Sequence, residues 1–429
     1  MSFPITWTTT SLSEVCTKIV DGSHNPPKAV ENGFPMLSAK NIYKRKVFFD
    51  DYRLISKEDF EIENNRTNIS SGDVLLTIVG AIGRGAVVNE GLDKFTLQRS
   101  VAVLKPFQIN PKYLSYALEA PKLQKYLQDN AKGTAQKGIY LKALSAVTIP
   151  LAPLNEQRRI ADKLDTTLAR VDTLNDRLAR ITPLLKRFRQ SVLAAATSGR
   201  LTEDWVLQYS LPEAHQCTLK EVIKVSSGDG LTAKNMNSDG GIPVFGGNGI
   251  NGYHDQHNVN ESTIVIGRVG YYCGSVHLTP EKAWVTDNAL KVVYDKQYIN
   301  KKFLYYSLLG NDLRKNVSST AQPVISGQKI YSLPFRLPVI EEQTEIVRRV
   351  ETLFAFADRL EARLQSAQTA AERLTPALLA KAFRGELVPQ DPNDEPATEL
   401  LRRLREARAA DTASKPKRGR AAKAPTVSE

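Results

Sequence analysis

Apolar residues along this chain fall into two long heptad stretches, separated by shorter runs of a different character. The first seam runs Ile160, Leu164, Thr167, Val171, Leu174, Leu178, Ile181, Leu185, Phe188, Val192, in steps alternating between four and three. That spacing lays one stripe along an α-helix and predicts a coiled-coil seam. Pro153-Leu154-Asn155-Glu156-Gln157 opens the stretch and Gly199 closes it, as a helix C-terminus favours. A second stretch opens at Val339-Ile340-Glu341-Glu342-Gln343 and runs Ile346, Val350, Leu353, Ala357, Leu360, Leu364, Ala367, Ala371, Leu374, Leu378, ending at Gly385.

The two stretches superimpose at an offset of 186 residues without a gap, and 15 of 49 positions from Pro153 to Leu201 are identical. Gln157 meets Gln343, Asp172 meets Asp358 and Gly199 meets Gly385. Unrelated heptad helices share leucines, but not an opening Glu-Gln, a closing glycine and an aspartate between them, so the pattern is a duplication. A helix this long with an exposed seam needs a partner, and the simplest one is its own duplicate, returning antiparallel. Pro183 and Pro376 each remove a helical hydrogen bond and are the expected kinks.

The intervening regions are rich in Gly, Asn and Asp, with short β-branched runs. Val74-Leu75-Leu76-Thr77-Ile78-Val79 and Thr263-Ile264-Val265-Ile266 predict buried strands. The duplication is fainter here. Gly33-Phe34-Pro35-Met36-Leu37 matches Gly241-Ile242-Pro243-Val244-Phe245, Asn110-Pro111-Lys112-Tyr113-Leu114 matches Asn300-Lys301-Lys302-Phe303-Leu304, and Thr134-Ala135-Gln136 matches Thr320-Ala321-Gln322.

Composition narrows the classes. The chain has 429 residues, 41% of them hydrophobic, which is enough for two or more packed domains. There is no basic-then-apolar leader, no run that would span a bilayer and no CxxC pair among Cys16, Cys217 and Cys273. A cytoplasmic protein without a membrane partner is expected. The formal charge is +12, and about half sits at the end, where Leu401–Glu429 holds nine Lys/Arg against three acids. The remainder permits a polyanion partner without requiring one.

The order of strand-rich module, Pro-Leu-x-Glu-Gln and long helix, repeated, resembles the DNA-specificity subunit of type I restriction–modification enzymes. Leu185-Lys186-Arg187-Phe188-Arg189-Gln190, Ala380-Lys381-Ala382-Phe383-Arg384-Gly385-Glu386-Leu387 and Asp21-Gly22-Ser23-His24-Asn25-Pro26-Pro27 carry the resemblance further. It covers residues 6–390; Val339, where many members have proline, is a departure. The implied fold is α+β, with two strand-rich target-recognition domains, two long antiparallel coiled-coil helices and a pseudo-twofold repeat. The boundaries are 1–152 and 201–337 for the domains, 153–200 and 338–387 for the spacer helices, and 388–429 for a basic, disordered tail. The resemblance implies a non-catalytic chain that reads an asymmetric, interrupted site in double-stranded DNA. It also implies two modification (methyltransferase) subunits carrying S-adenosylmethionine and restriction (motor and nuclease) subunits using ATP and Mg²⁺ as partners, with no cofactor bound by this chain.

Enzymatic chemistry fails on inspection. Asn25-Pro26-Pro27 lacks the aromatic that an amino-methyltransferase stacks on its flipped base, since Lys28 stands there. Phe245-Gly246-Gly247-Asn248-Gly249 fits a cofactor-binding glycine pattern but is followed by no helical period. His254 and His257 lack further metal ligands at useful spacing. A scaffold that no longer reads DNA is the other alternative. Base edges are read by side chains that make paired hydrogen bonds. In the first module the candidates are Lys40, Asn41, Arg84, Gln98, Arg99, Gln136 and Lys137, and in the second Asn248, Arg268, Tyr271, Asn288 and Gln322. His24 and Lys234 rank behind them. Gln136 and Gln322 occur in both modules and so suit a shared backbone or phosphate role.

Overall fold

The computed structural model of the chain describes residues 3–133, 136–237, 239–311, 313 and 324–414. Two compact units form, the first from Met1–Asp176 and Gln368–Glu429, the second from Arg177–Ala367.

In the first unit, runs of Val and Leu buried on both faces build a four-stranded antiparallel sheet. Its order is Cys16–Asp21, Val101–Pro106, Val74–Thr77, Gly85–Val87, and Val74–Leu76 and Val101–Leu104 have no exposure. A second sheet sets Phe34–Leu37 between Arg53–Ile55, antiparallel, and Thr96–Leu97, parallel. The two chain ends of the module pair with each other, from Thr8↔Leu151 to Ser11↔Thr148.

The second unit repeats this plan. Its four-stranded order is Ile223–Ser227, Ala289–Tyr294, Ile264–Gly267, Val276–Leu278. Ile242–Gly246 lies between Gly249–His254, antiparallel, and Trp284–Val285, parallel. His215–Thr218 pairs with Pro334–Leu337. The duplication that is faint in these residues is therefore plain in the topology of these sheets, although the first unit adds a hairpin, Ile42–Tyr43 with Lys46–Val47, that has no counterpart among the described residues of the second.

The first long helix, Leu154–Ser198, runs through Pro183 without a break and ends at Gly199, whose φ is +83°. The expected second helix over 338–387 is instead two segments, Ile340–Glu372 and Leu374–Ala382. Pro376 explains the break, because it has no N–H for the Glu372 carbonyl and its ring crowds that oxygen. Gly385, with φ +77°, closes the second segment.

The seams do not pair along their whole length, as expected, but are shared between module and helix. In the first unit Ile160, Leu164 and Leu168 enter the module core together with Leu379, Ala382 and Phe383. In the second, Leu178, Ile181 and Leu185 pack with Ala357, Leu360 and Leu364, and Val192 and Ala196 join a core with Ile346, Val347 and Val350. Positions that rise along one helix meet positions that fall along the other, so the pair is antiparallel. Arg189 clamps it, reaching Asp358 at 2.6 Å and Glu361 at 2.8 Å.

The repeated Glu-Gln ties each module to its long helix. Gln157 is fully buried; its Oε1 accepts from the Asn110 N–H at 3.0 Å and its Nε2 donates to the Ala152 carbonyl at 2.8 Å. Gln343 repeats this with the Asn300 N–H at 2.8 Å and the carbonyls of Pro338 and Tyr298 at 2.8 and 2.9 Å. Asn110 and Asn300 in turn cap the short helices Pro111–Glu119 and Lys301–Gly310. Glu156 accepts from Trp7 Nε1 at 2.9 Å and from Gln390, just past the second helix. Glu342 accepts from Thr202 at 2.8 Å, just past the first, and from Arg336.

The part of the expected tail that is described, residues 388–414, departs from expectation, while residues 415–429 lie outside the described residues. Ala397–Ser414 is a helix, and its Ala397, Leu400, Leu401 and Leu404 are buried in the first unit's core. Those four sit at helical spacing, an apolar stripe that net charge alone conceals. Arg405 pairs with Glu14 at 2.8 Å, and Arg408 donates to the carbonyls of Ser13 and Cys16. Among the described residues no helix is long and apolar enough to cross a membrane.

Candidate nucleic-acid interface

At one end of the first module's sheets, five chain segments are stitched together by backbone hydrogen bonds. Ser23 donates to Leu97 and Arg99 donates to Ser23, at 2.8 and 2.9 Å. Gln98 donates to Leu37 at 2.9 Å, Ile78 to Ser100 at 2.8 Å and Gly80 to Lys137 at 3.1 Å. This close approach needs Gly22, since a β-carbon there would lie 2.0 Å from the Leu97 carbonyl oxygen. The second module uses Gly228 identically, 2.2 Å from the Val285 oxygen.

The stitched segments border an open groove of about 660 Å³ lined by His24, Lys40, Arg84, Gln98, Arg99 and Gln136, among others. Arg84, Arg99, Gln136 and Lys137 are exposed and Gln98 is half-buried. Neither the Arg84 nor the Arg99 guanidinium has a partner among the described residues. Residues far apart in sequence thus meet on one surface. Lys40 is held at 2.6 Å by Asp51 on an exposed pair, which offers little resistance to exchange for another anion. Asn41 is a correction. It is buried, its Oδ1 accepting from the Ser38 N–H at 2.9 Å and its Nδ2 donating to the Asp50 carbonyl at 2.7 Å. Its amide shapes the Ser38–Asn41 turn and has no edge left for a base.

His24 stands on the rim of the same groove. Asp21 is buried, takes Arg66 on one oxygen and holds His24 Nε2 at 2.7 Å on the other. The imidazole is thereby fixed on the groove rim, a placement that depends on Arg66, too distant in sequence to be seen.

In the second module the corresponding sheet end carries Asn248, Arg268, Tyr271 and Asn288. The Arg268 N–H donates to the Asn288 carbonyl at 2.9 Å, and Ile325 donates to the Arg268 carbonyl at 2.9 Å. These bonds duplicate Ile78 to Ser100 and Ile139 to Ile78 in the first module. Asn248 and Asn288 are exposed, Arg268 is half-buried and Tyr271 is 82% exposed. Gln322 lies outside the described residues. Lys234 is exposed on the Ala233–Asn235 turn. The glycine segment Phe245–Gly249 forms a tight turn between two antiparallel strands, with no helix after it. Equivalent backbone posts therefore present different side chains, Ile78 against Arg268 and Ser100 against Asn288.

The family model described as the type I restriction modification DNA specificity domain matches residues 4–183 and 213–367. The chain is similar to the type I restriction enzyme StySPI specificity subunit of Salmonella potsdam, at 29% identity over 97% of this chain and 99% of that one. It is similar to the EcoKI specificity subunit of Escherichia coli K12, at 28% identity over 97% and 98%. Among solved structures, a chain from a study of assembly and conformational transition in the type I R-M system matches with a TM-score of 0.66 at 18% identity, covering 90% of this chain and all of that one. The HsdS subunit from Thermoanaerobacter tengcongensis matches with a TM-score of 0.56 at 19% identity, covering 90% and 99%.

Proposed function

Since this chain belongs to the type I restriction–modification DNA-specificity family, we propose that it reads a two-part, asymmetric sequence in double-stranded DNA. Each module reads one half and the paired helices set the interval between halves. The observation that carries this reading is the duplicated sheet end, where one backbone scaffold displays two different sets of hydrogen-bonding side chains. A shared scaffold with divergent readers suits an interrupted site whose halves differ. The chain supplies recognition and no chemistry of its own. Its long helices dock two modification subunits that use S-adenosylmethionine to methylate adenine, and restriction subunits using ATP and Mg²⁺ join that core. The assembly works in the cytoplasm.

Within the first module, Arg84, Gln98 and Arg99 read base edges, while Lys40 and Lys137 meet phosphates. In the second, Arg268 and Asn288 occupy the posts of Ile78 and Ser100 and read the other half, with Asn248 and Tyr271 beside them. Replacing Arg99 with Ala in the assembled complex costs about 1–3 kcal/mol against the intact first half and relaxes preference at one base pair. Replacing Lys137 with Ala weakens all sequences alike and lowers the salt slope by about one. Competition binding with single-base variants of each half separates the two behaviours. Binding with no sequence dependence in the presence of the modification subunits favours a scaffold, and S-adenosylmethionine binding by the chain alone favours a methyltransferase.

A further inference from the structure

Two residues of the first unit hold a backbone conformation that suits neither. The strands Ile42–Tyr43 and Lys46–Val47 are joined through Lys44 and Arg45, whose φ values are 46° and 60°. A two-residue turn with both φ positive is ordinarily built from Asn-Gly, because a β-carbon is crowded there. Long cationic side chains persist in such a turn only where their surroundings hold them.

The surroundings are three carboxylates. Lys44 Nζ lies 3.3 Å from Asp176, and Arg45 pairs with Asp172 and stands 3.9 Å from Glu119. Asp172 and Asp176 are four apart on the first long helix and so share one face. Glu119 ends the short helix Pro111–Glu119. Tyr43 stacks on Phe48 with ring centres 3.8 Å apart and stiffens the hairpin. Burial pushes the Glu119 carboxyl up to about 7 against the pull of Arg45. A largely covered acid is thus retained where an apolar side chain would pack at less cost.

The second unit shows which part of this contact is shared framework. Lys112 pairs with Asp165 on the long helix, and Lys302 pairs with Glu351 in the same way. The hairpin contact is not repeated among the described residues. Asp358, the duplicate of Asp172, pairs with Arg189 of the other long helix. The duplicate of Asp176 is Ala362, and Leu309 stands in the place of Glu119.

We propose that the Lys44–Arg45 hairpin is a clasp fixing the angle of the first recognition module on the first long helix, with Arg45 a positioning residue for the interval between half-sites. The proposal rests on the two-module reading above. The clasp touches no base; it decides where along the duplex the first module's groove can sit while the second is engaged.

The test uses the full chain assembled with its modification subunits, and duplexes carrying the mapped site with its native gap or a gap changed by one base pair. Arg45→Ala combined with Glu119→Gln cuts the clasp without stranding a buried charge, and Asp172→Asn is a milder change on the partly exposed helix face. Discrimination between native and altered gaps is expected to fall about tenfold in the double variant and less in Asp172→Asn. Base preference within each half is expected to stay unchanged. Unaltered gap discrimination in both variants, even with lower thermal stability or altered base preference, overturns the proposal and leaves the two-module reading intact. A wild-type complex that shows no gap discrimination overturns that reading as well.

Discussion

Exchanging residues 8–151 for the matching segment of a relative with a different target replaces one half of the recognised sequence and leaves the other half unchanged. The fold makes this exchange clean. Thr8–Ser11 and Thr148–Leu151 pair with each other, so the excised segment begins and ends on one two-stranded ladder. One link that crosses the boundary is generic, because Gln157 binds the backbone N–H of Asn110, and a relative that keeps Glu14, Arg45 and Lys112 also keeps the side-chain links to Arg405, Asp172 and Asp165. Each mismatched base pair costs ~1–3 kcal/mol, so a half-site of several bases changes preference by about a thousandfold or more. Methylation mapping in cells that carry the exchanged chain and its partner subunits reads the outcome. Loss of both halves counts against independent readers.

Replacing Gln343 with Leu costs the second unit about 4 kcal/mol and lowers its melting temperature. Gln343 is fully buried and serves three backbone groups, the N–H of Asn300 and the carbonyls of Pro338 and Tyr298. Leucine satisfies none of them, and each buried unpaired group costs ~1–3 kcal/mol. Gln157→Leu strands two such groups and should cost less. Thermal unfolding of both variants checks the order as well as the size. A loss below ~1 kcal/mol for Gln343→Leu would mean the groups find other partners, and the Glu-Gln pair would not be the link between module and helix.

The parts of this fold legible in sequence are those set by local periodicity and capping. The heptad seams, Gly199 and Gly385, and the caps Asn110 and Asn300 all depend on residues within a few positions of each other. The parts that were not legible depend on distant partners. The seam of Ile160 and Leu164 reads as a coiled coil, yet it packs on the module because Leu379 and Phe383 return there. The C-terminal helix looked like a charged tail because its four apolar anchors are outnumbered by Arg and Glu. Asn41 read as a base reader because residue type says nothing of burial. The match of Gly228 to Gly22 is hidden in sequence because the offset between them is 206 and not 186. The groove residues stand out in sequence only by their hydrogen-bonding type; the surface joining them is made by strand crossings that no local pattern records.

The division of labour between modules and helices is tested most directly by inserting one heptad into both long helices within the paired stretch around Leu185 and Ala357, then mapping methylated sites. Seven residues add about 10 Å of helix, or roughly three base pairs of duplex. The same two half-sequences separated by a gap longer by about that amount is the expected result. Altered half-sequences with an unchanged gap would contradict the account.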